Sequence, residues 1–251
     1  PIIYVESPAN PTCGIVDFEL MTKAADAIEK RQGSRPLIVV DNTMLGPIFQ
    51  QPLRHGADII VYSLTKYVGG HSDLVAGAVI GSTANLTAIR KIRSAFGMQL
   101  DPHSSWMLGR SLETLYLRME RASHSAAEIA RYLSTHPKVD AVYHPDFIKD
   151  ADYQSVYKKS ARAGGSTFSF TLKSGEAGAF RFLNDLHLFT LAVSLGGTES
   201  LISHPASTTH SGVAKAIRDQ VGVTDALVRV SVGLENPQDL IADLEEALGK
   251  V

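Results

Sequence analysis

The segment Asp58-Ile-Ile-Val-Tyr-Ser-Leu-Thr-Lys66-Tyr-Val-Gly-Gly-His-Ser-Asp73 passes directly from a branched apolar run into hydroxyls, a lysine and paired glycines. Lys66 falls just beyond the carboxyl end of the strand predicted over Ile59–Tyr62. Ligands collect at that edge of open parallel sheets, and a strand this apolar is expected to be covered on both faces. A lysine at its tip then borders a cleft of low dielectric, where desolvation lowers its pKa and makes the amine nucleophilic. The bland reading is a solvated lysine at a strand end.

Three patterns compete for this segment. Ser63-Leu-Thr-Lys66 satisfies the S-x-x-K of penicillin-binding enzymes, but the helical context and the later Lys-Thr-Gly are missing. Tyr62 and Lys66 have the Tyr-x-x-x-Lys spacing of short-chain dehydrogenases, which requires one helical face, whereas Asp-Ile-Ile-Val makes Tyr62 a strand residue. The third reading, a Schiff-base lysine for pyridoxal phosphate with Ser63 and Thr65 offering hydroxyls to the phosphate, fits the strand-to-loop context. Such a site needs a carboxylate against the pyridine nitrogen. Asp41 ends the strand Leu37–Val40 and so shares the carboxyl edge with Lys66; the other role for it is a turn cap. In Leu227-Val-Arg-Val-Ser-Val-Gly233, alternation puts Val228, Val230 and Val232 on one face and Arg229 with Ser231 on the other. An arginine in so apolar a strand needs an anion, either the carboxylate of an amino-acid substrate or an internal Asp or Glu.

The elements that position these residues are expected to be strands at Ile2–Val5 (a buried strand), Leu37–Val40, Ile59–Tyr62 and Val75–Ile80. A helix capped by Asp17 and ending near Gly33 crosses between the first two, as in a parallel sheet. One long helix, about Ser104 to Leu133, stops at His136-Pro137. Strands at Ala141–Tyr143, Thr167–Leu172, Phe189–Val193 and Leu227–Val232, with helices near Ala177–Leu186 and Pro237–Leu248, predict a smaller α/β unit. Composition agrees with a packed chain of one large or two modest domains: 251 residues, 44% apolar and 20% charged. A net charge of -2 gives no basic surface for nucleic acid or anionic membrane, and no apolar run is long enough to span a bilayer. A single cysteine, Cys13, forms no internal bridge, which points to a reducing, cytoplasmic setting. The strand-like start without an initiator Met leads us to expect upstream sequence.

Together Glu6-Ser-Pro-Ala-Asn-Pro11, Asp41-Asn-Thr43, Ser63-Leu-Thr-Lys66-Tyr-Val-Gly-Gly-His71, Leu112-Glu-Thr-Leu115, Ser194-Leu-Gly-Gly197, His204-Pro-Ala-Ser207 and Arg229-Val-Ser-Val-Gly-Leu-Glu235 resemble the transsulfuration, or Cys/Met-metabolism, family of pyridoxal phosphate enzymes. The resemblance covers the whole chain. It implies the fold-type I, aminotransferase-like α/β architecture, with residues 1–116 the remainder of a large, parallel-rich cofactor domain and 117–251 a smaller carboxyl-terminal domain. It also implies Lys66 as the cofactor-bonding lysine, Asp41 as pyridinium partner, Ser63 and Thr65 as phosphate ligands and Asn10 as neighbour of the ring hydroxyl. Arg229 and Ser194 resemble substrate-holding residues, and the same resemblance implies that Ser207 and Thr209 lie near the lysine. A family member also carries an upstream third with a Ser-Gly-Met phosphate loop, a ring-stacking tyrosine and a Tyr-x-Arg offered to a neighbouring subunit. A homo-oligomer, tetramer of dimers type, is therefore the expected assembly, together with an amino-terminal segment of the same protein.

Many cystathionine γ-synthases and γ-lyases have glutamate before Ser-Leu-Gly-Gly; methionine γ-lyases resemble this chain, which has Val193. Valine suits a thioether methyl rather than a distal charge. The expectation is γ-elimination on L-methionine, giving 2-oxobutanoate, ammonia and methanethiol. Cystathionine γ-lyase or γ-synthase chemistry and a non-catalytic fragment are the alternatives. No metal is expected: His71 and Asp73 lack a third ligand.

Overall fold

The computed structural model describes residues 1–251. A four-stranded sheet is built first, in the order β1 (Ile2–Glu6), β2 (Leu37–Asp41), β3 (Ile59–Ser63) and β4 (Gly77–Gly81). The first three strands are parallel and β4 is antiparallel to β3. Helix α1 (Phe18–Gln32) crosses from β1 to β2. Its orphan amides are met by Asp17 Oδ1, which accepts from Glu19 N at 2.9 Å and Leu20 N at 3.1 Å, and Gly33 closes it at φ +74°. Phe18, Met21 and Ala25 on its inner face pack on Ile38 and Val40 of β2. Leu20 points outward. One correction concerns the strand expected to be buried: β1 is an edge strand with Ile2 and Tyr4 exposed, because only β2 flanks it.

A short helix, α2 (Gly46–Phe49), follows β2, and α3 (Thr83–Phe96) follows β4; α3 was not anticipated and buries no residue fully. The single long helix expected from Ser104 to Leu133 is two: α4 (Pro102–Leu112) and α5 (Leu115–Thr135). The chain leaves helical geometry at Thr114, φ -107° and ψ 3°. Leu115 and Met119 of α5 join one core with Leu108, Tyr67 and Leu195, while Ala126, Ile129 and Leu133 join another, so α5 ties the two together.

The second sheet has the order β5 (Val139–Tyr143), β6 (Thr167–Leu172), β9 (Leu227–Ser231), β8 (Leu201–Ser203) and β7 (Thr190–Leu191). Only β7 and β8 run parallel. Helices α6 (Ala151–Ser160), α7 (Gly175–Asn184), α8 (Lys215–Gln220) and α9 (Pro237–Gly249) complete the chain. Phe168, Phe170, Val228 and Val230 face α5, α7 and α9 in the largest core. β7 is shorter than the expected Phe189–Val193, because the Val193 and Ser194 carbonyls leave the ladder for a side chain described below. No helix is long and apolar enough to cross a membrane.

Candidate active site

Asp41 and Ser63 are the last residues of the neighbouring strands β2 and β3, and Lys66 follows in the turn beyond. The Asp41 carboxylate is held rather than free: Oδ1 accepts from Thr43 N at 3.0 Å and from Thr43 Oγ1 at 2.6 Å. Thr43 Oγ1 in turn accepts from Ser63 N at 2.8 Å, so one hydroxyl ties the ends of both strands. Glu6 stands beside Asp41 in the parallel register. Burial and that neighbouring carboxylate push the Glu6 pKa up, against an Asn10 N–H that favours its charge.

Lys66 is half-buried, with Nζ 3.5 Å from Ser194 Oγ. Burial first, and then the Arg229 charge, draw its pKa below the ordinary lysine value, the direction that increases free amine at neutral pH. The turn that carries it is fixed by Lys66 N donating to Ser63 O, Gly69 N to Leu64 O, and Gly70 N to Lys66 O. From the other side Gly196, at φ +79°, approaches so closely that a Cβ there would sit 2.8 Å from Tyr67 N. Gly196 N donates to Ser231 Oγ at 2.9 Å, which seats the Ser194–Gly197 run against Lys66.

Arg229 is 2% exposed, on the same face of β9 as Ser231 and opposite the core valines, as alternation predicts. Its acceptors are neutral: Asn10 Oδ1 at 3.3 Å, and the carbonyls of Val193 at 2.6 Å and Ser194 at 3.1 Å. No Asp or Glu lies within ion-pair distance, so the internal salt bridge weighed as the other reading is absent. Burial draws its pKa down, opposed by Tyr67. The structure thus brings together Lys66, Ser194, Arg229 and Asn10, and separately Asp41 with Ser63. Thr65 is turned toward β4, its Oγ1 accepting from Ala76 N at 3.0 Å and donating to Ala76 O at 3.3 Å. The Val193 side chain is 54% exposed.

The weaker candidates have local partners. His71 Nδ1 bonds Gly69 O at 2.7 Å, and no group of three metal-binding side chains exists. His204 is buried, bonded to Ser207 Oγ and Asp225 O. Tyr62 is buried in β3, where its hydroxyl accepts from Asn42 Nδ2; it shares no helical face with Lys66. Three residues that shape the site were missed: Thr43, Tyr67, whose hydroxyl bonds Thr167 Oγ1 at 2.7 Å, and Arg118. The Asp-x-Thr spacing was a signal for the first; an arginine on the buried side of α5 was one for the last.

A half-buried amine with lowered pKa, a carboxylate locked at a strand end and a buried guanidinium without a counter-ion form a donor set that fits pyridoxal 5'-phosphate and a substrate carboxylate. The chain is 43% identical over 252 residues to an L-methionine gamma-lyase of Fusobacterium nucleatum subsp. polymorphum, covering 100% of this chain and 62% of that protein. It is 42% identical to a cystathionine gamma-lyase of Bacillus subtilis, covering 99% and 64%. The crystal structure of cystathionine gamma-lyase from Lactobacillus plantarum complexed with L-serine superimposes with TM-score 0.90 at 38% identity, over 100% of this chain and 64% of that one. Further relatives include a cystathionine beta-lyase and a cystathionine gamma synthase. The chain therefore spans somewhat under two thirds of the length of the relatives it matches. The sequence profile of the Cys/Met metabolism PLP-dependent enzymes fits residues 1–249, and with the site just described it makes this chain a member of that family.

Proposed function

We propose that the protein to which this chain belongs is a pyridoxal 5'-phosphate-dependent carbon–sulfur lyase acting on a sulfur amino acid, with γ-elimination on L-methionine as its reaction. The observation that carries the reading is Arg229: a guanidinium buried without a carboxylate partner, next to a half-buried lysine. When bound, the cofactor supplies an electron sink. Lys66 and Asp41 would hold it, with Ser63 toward its phosphate, Thr65 able to join only by giving up its donation to Ala76 O, and Asn10 beside its ring hydroxyl. Arg229, aided by Ser194, orients the substrate carboxylate. The Lys66 amine would take the Cα proton, hand it on to the bound cofactor and, free again, take one from Cβ, because expelling the γ-thiolate needs negative charge at Cβ. Val193 lines the thioether methyl.

The cystathionine reading keeps the same machinery, and the relatives of both kinds match to a similar degree. In the same reading residues 1–116 belong to a cofactor domain and 117–251 to a smaller one, and the active protein is a homo-oligomer that includes further polypeptide.

The test is product analysis of the purified protein with each substrate. 2-Oxobutanoate, ammonia and methanethiol from methionine are expected. Lys66→Ala should abolish them, and Arg229→Ala should raise KM for substrate while cofactor binding persists. Consumption of an O-acyl-homoserine with cysteine, and no lyase products, would refute the elimination reading.

A further inference from the structure

Arg118, in the first turns of α5, is 9% exposed and has no Asp or Glu within ion-pair distance. Buried guanidinium groups are ordinarily paired with carboxylates, so its neutral partners call for a reason. Those partners are Tyr67 O at 2.7 Å, Val68 O at 3.3 Å, Ser111 O at 2.9 Å and Thr114 Oγ1 at 3.1 Å. Two of them are the carbonyls that directly follow Lys66. The Leu64–Gly69 turn satisfies the Leu64 and Lys66 carbonyls internally, through Gly69 N and Gly70 N, and leaves those of Tyr67 and Val68 facing outward. Carbonyls at the end of a helical turn carry partial negative charge and favour a cation.

The surroundings are shaped for this contact. Gly70 has φ +72°, and a Cβ built on it would lie 1.8 Å from Arg118 Nη1, so the glycine leaves room for the guanidinium. On the other side, the break between α4 and α5 frees Ser111 O and places Thr114 Oγ1 to receive Nε. An uninterrupted helix would use the Ser111 carbonyl for its own hydrogen bond. The helix break, the glycine and the arginine thus serve one contact, between the Lys66 turn and the helix that ties the cores.

We propose that Arg118 is a positioning residue for Lys66, capping the turn that carries the lysine and fixing it to α5. The importance of Lys66 to catalysis rests on the function proposed above; its positioning by Arg118 is tested without the cofactor. In the purified protein, competitive acylation with a small anhydride over a neutral-to-alkaline pH series, read by peptide mass mapping, gives the reactivity of Lys66 relative to the other lysines.

Burial and the Arg229 charge lead us to expect that wild-type Lys66 titrates below the exposed lysines. Arg118→Met should keep the circular dichroism of the folded chain while the Lys66 midpoint moves up toward that of the exposed lysines, with a loss of its neutral-pH reactivity. Gly70→Ala should reproduce the shift with the guanidinium still present, and Arg118→Lys, which keeps charge but not the fork, should restore only part. A residue that merely stabilises the fold would lower the thermal midpoint and leave the titration of Lys66 unchanged, and that result overturns the proposal. Should Arg118→Met not fold, Arg118→Lys decides: wild-type titration of Lys66 in that variant also overturns it. Borohydride trapping of pyridoxal 5'-phosphate on wild-type Lys66 is a separate arm, whose failure would count against the cofactor reading alone.

Discussion

Thr43→Val isolates the hydroxyl that joins Asp41 to Ser63. The side chain keeps its branched shape and loses two bonds, the 2.6 Å donation to the Asp41 carboxylate and the 2.8 Å acceptance from Ser63 N. A hydrogen bond to a charged group contributes about 1.5–3 kcal/mol. The stranded Ser63 N–H costs about 1 kcal/mol, the low end of the range for an unsatisfied donor, since Ser63 is only half-buried. The sum, roughly 2.5–4 kcal/mol, is a large share of the 5–15 kcal/mol typical of a domain. The total alone would not identify the bond, so the assay is a double-mutant cycle by urea denaturation over wild type, Thr43→Val, Asp41→Ala and the double variant. If the carboxylate and hydroxyl act as a pair, the coupling should be about 1.5–3 kcal/mol. Thr43→Ser, which restores the oxygen, should recover most of the stability. Coupling below about 0.5 kcal/mol would refute the reasoning, because independent sites add to within that margin.

Gly196→Ala should displace the Lys66 turn, since its Cβ would meet Tyr67 N at 2.8 Å in addition to the strain of φ +79°. Gly33→Ala, at φ +74° with nothing within 4 Å, is the control that carries only the backbone cost of about 1–2 kcal/mol. Equal destabilisation of the two, measured by denaturation, would mean that the contact with the turn is unimportant. Burial pushes the Cys13 thiol up to about 12, from an ordinary value of 9.0, so it should resist Ellman's reagent at pH 8 until the chain unfolds. The folded-state pKa is raised. The contribution is therefore full below pH 9 and is lost as pH rises toward 12, at about 1.4 kcal/mol per unit, and Cys13→Ala should flatten the alkaline fall. Rapid labelling of the folded protein would count against this.

What could be read in the sequence was whatever depends on neighbours along the chain. The Asp17 cap, the Gly33 stop, the strand end at Asp41 and the alternation that turns Arg229 from the core are set by local geometry. What was not readable depends on distant partners. The apolar spacing from Trp106 to Met119 describes one continuous helix, and the break at Thr114 acquires its reason only when Arg118 reaches the Lys66 turn. Phe189–Val193 has the composition of a full strand, yet ladder bonding ends at Ala192, whose N–H donates to Ile202 O, because Arg229 takes the next two carbonyls. Likewise β1 is apolar enough to be central but is flanked on one side only.

Two buried arginines without carboxylate partners face the Lys66 turn from different elements, and donor arithmetic separates their roles. A guanidinium has five N–H donors. Arg118 makes four hydrogen bonds, through Nε, Nη1 and twice through Nη2, all to groups fixed by backbone or by the helix break. One donor remains, too few for a carboxylate held by two bonds. Arg229 makes three, one from Nη1 and two from Nη2, which leaves two N–H donors unengaged by the chain, and its acceptors include a side chain, that of Asn10. The two unengaged donors sit on Nε and Nη1, on different edges of the group, so an arriving carboxylate can take one bond from either, and a two-bond fork forms when Nη2 releases one of its backbone carbonyls. Saturation by its own chain suits Arg118 to a fixed structural contact, and incomplete saturation suits Arg229 to a ligand that arrives with its own negative charge.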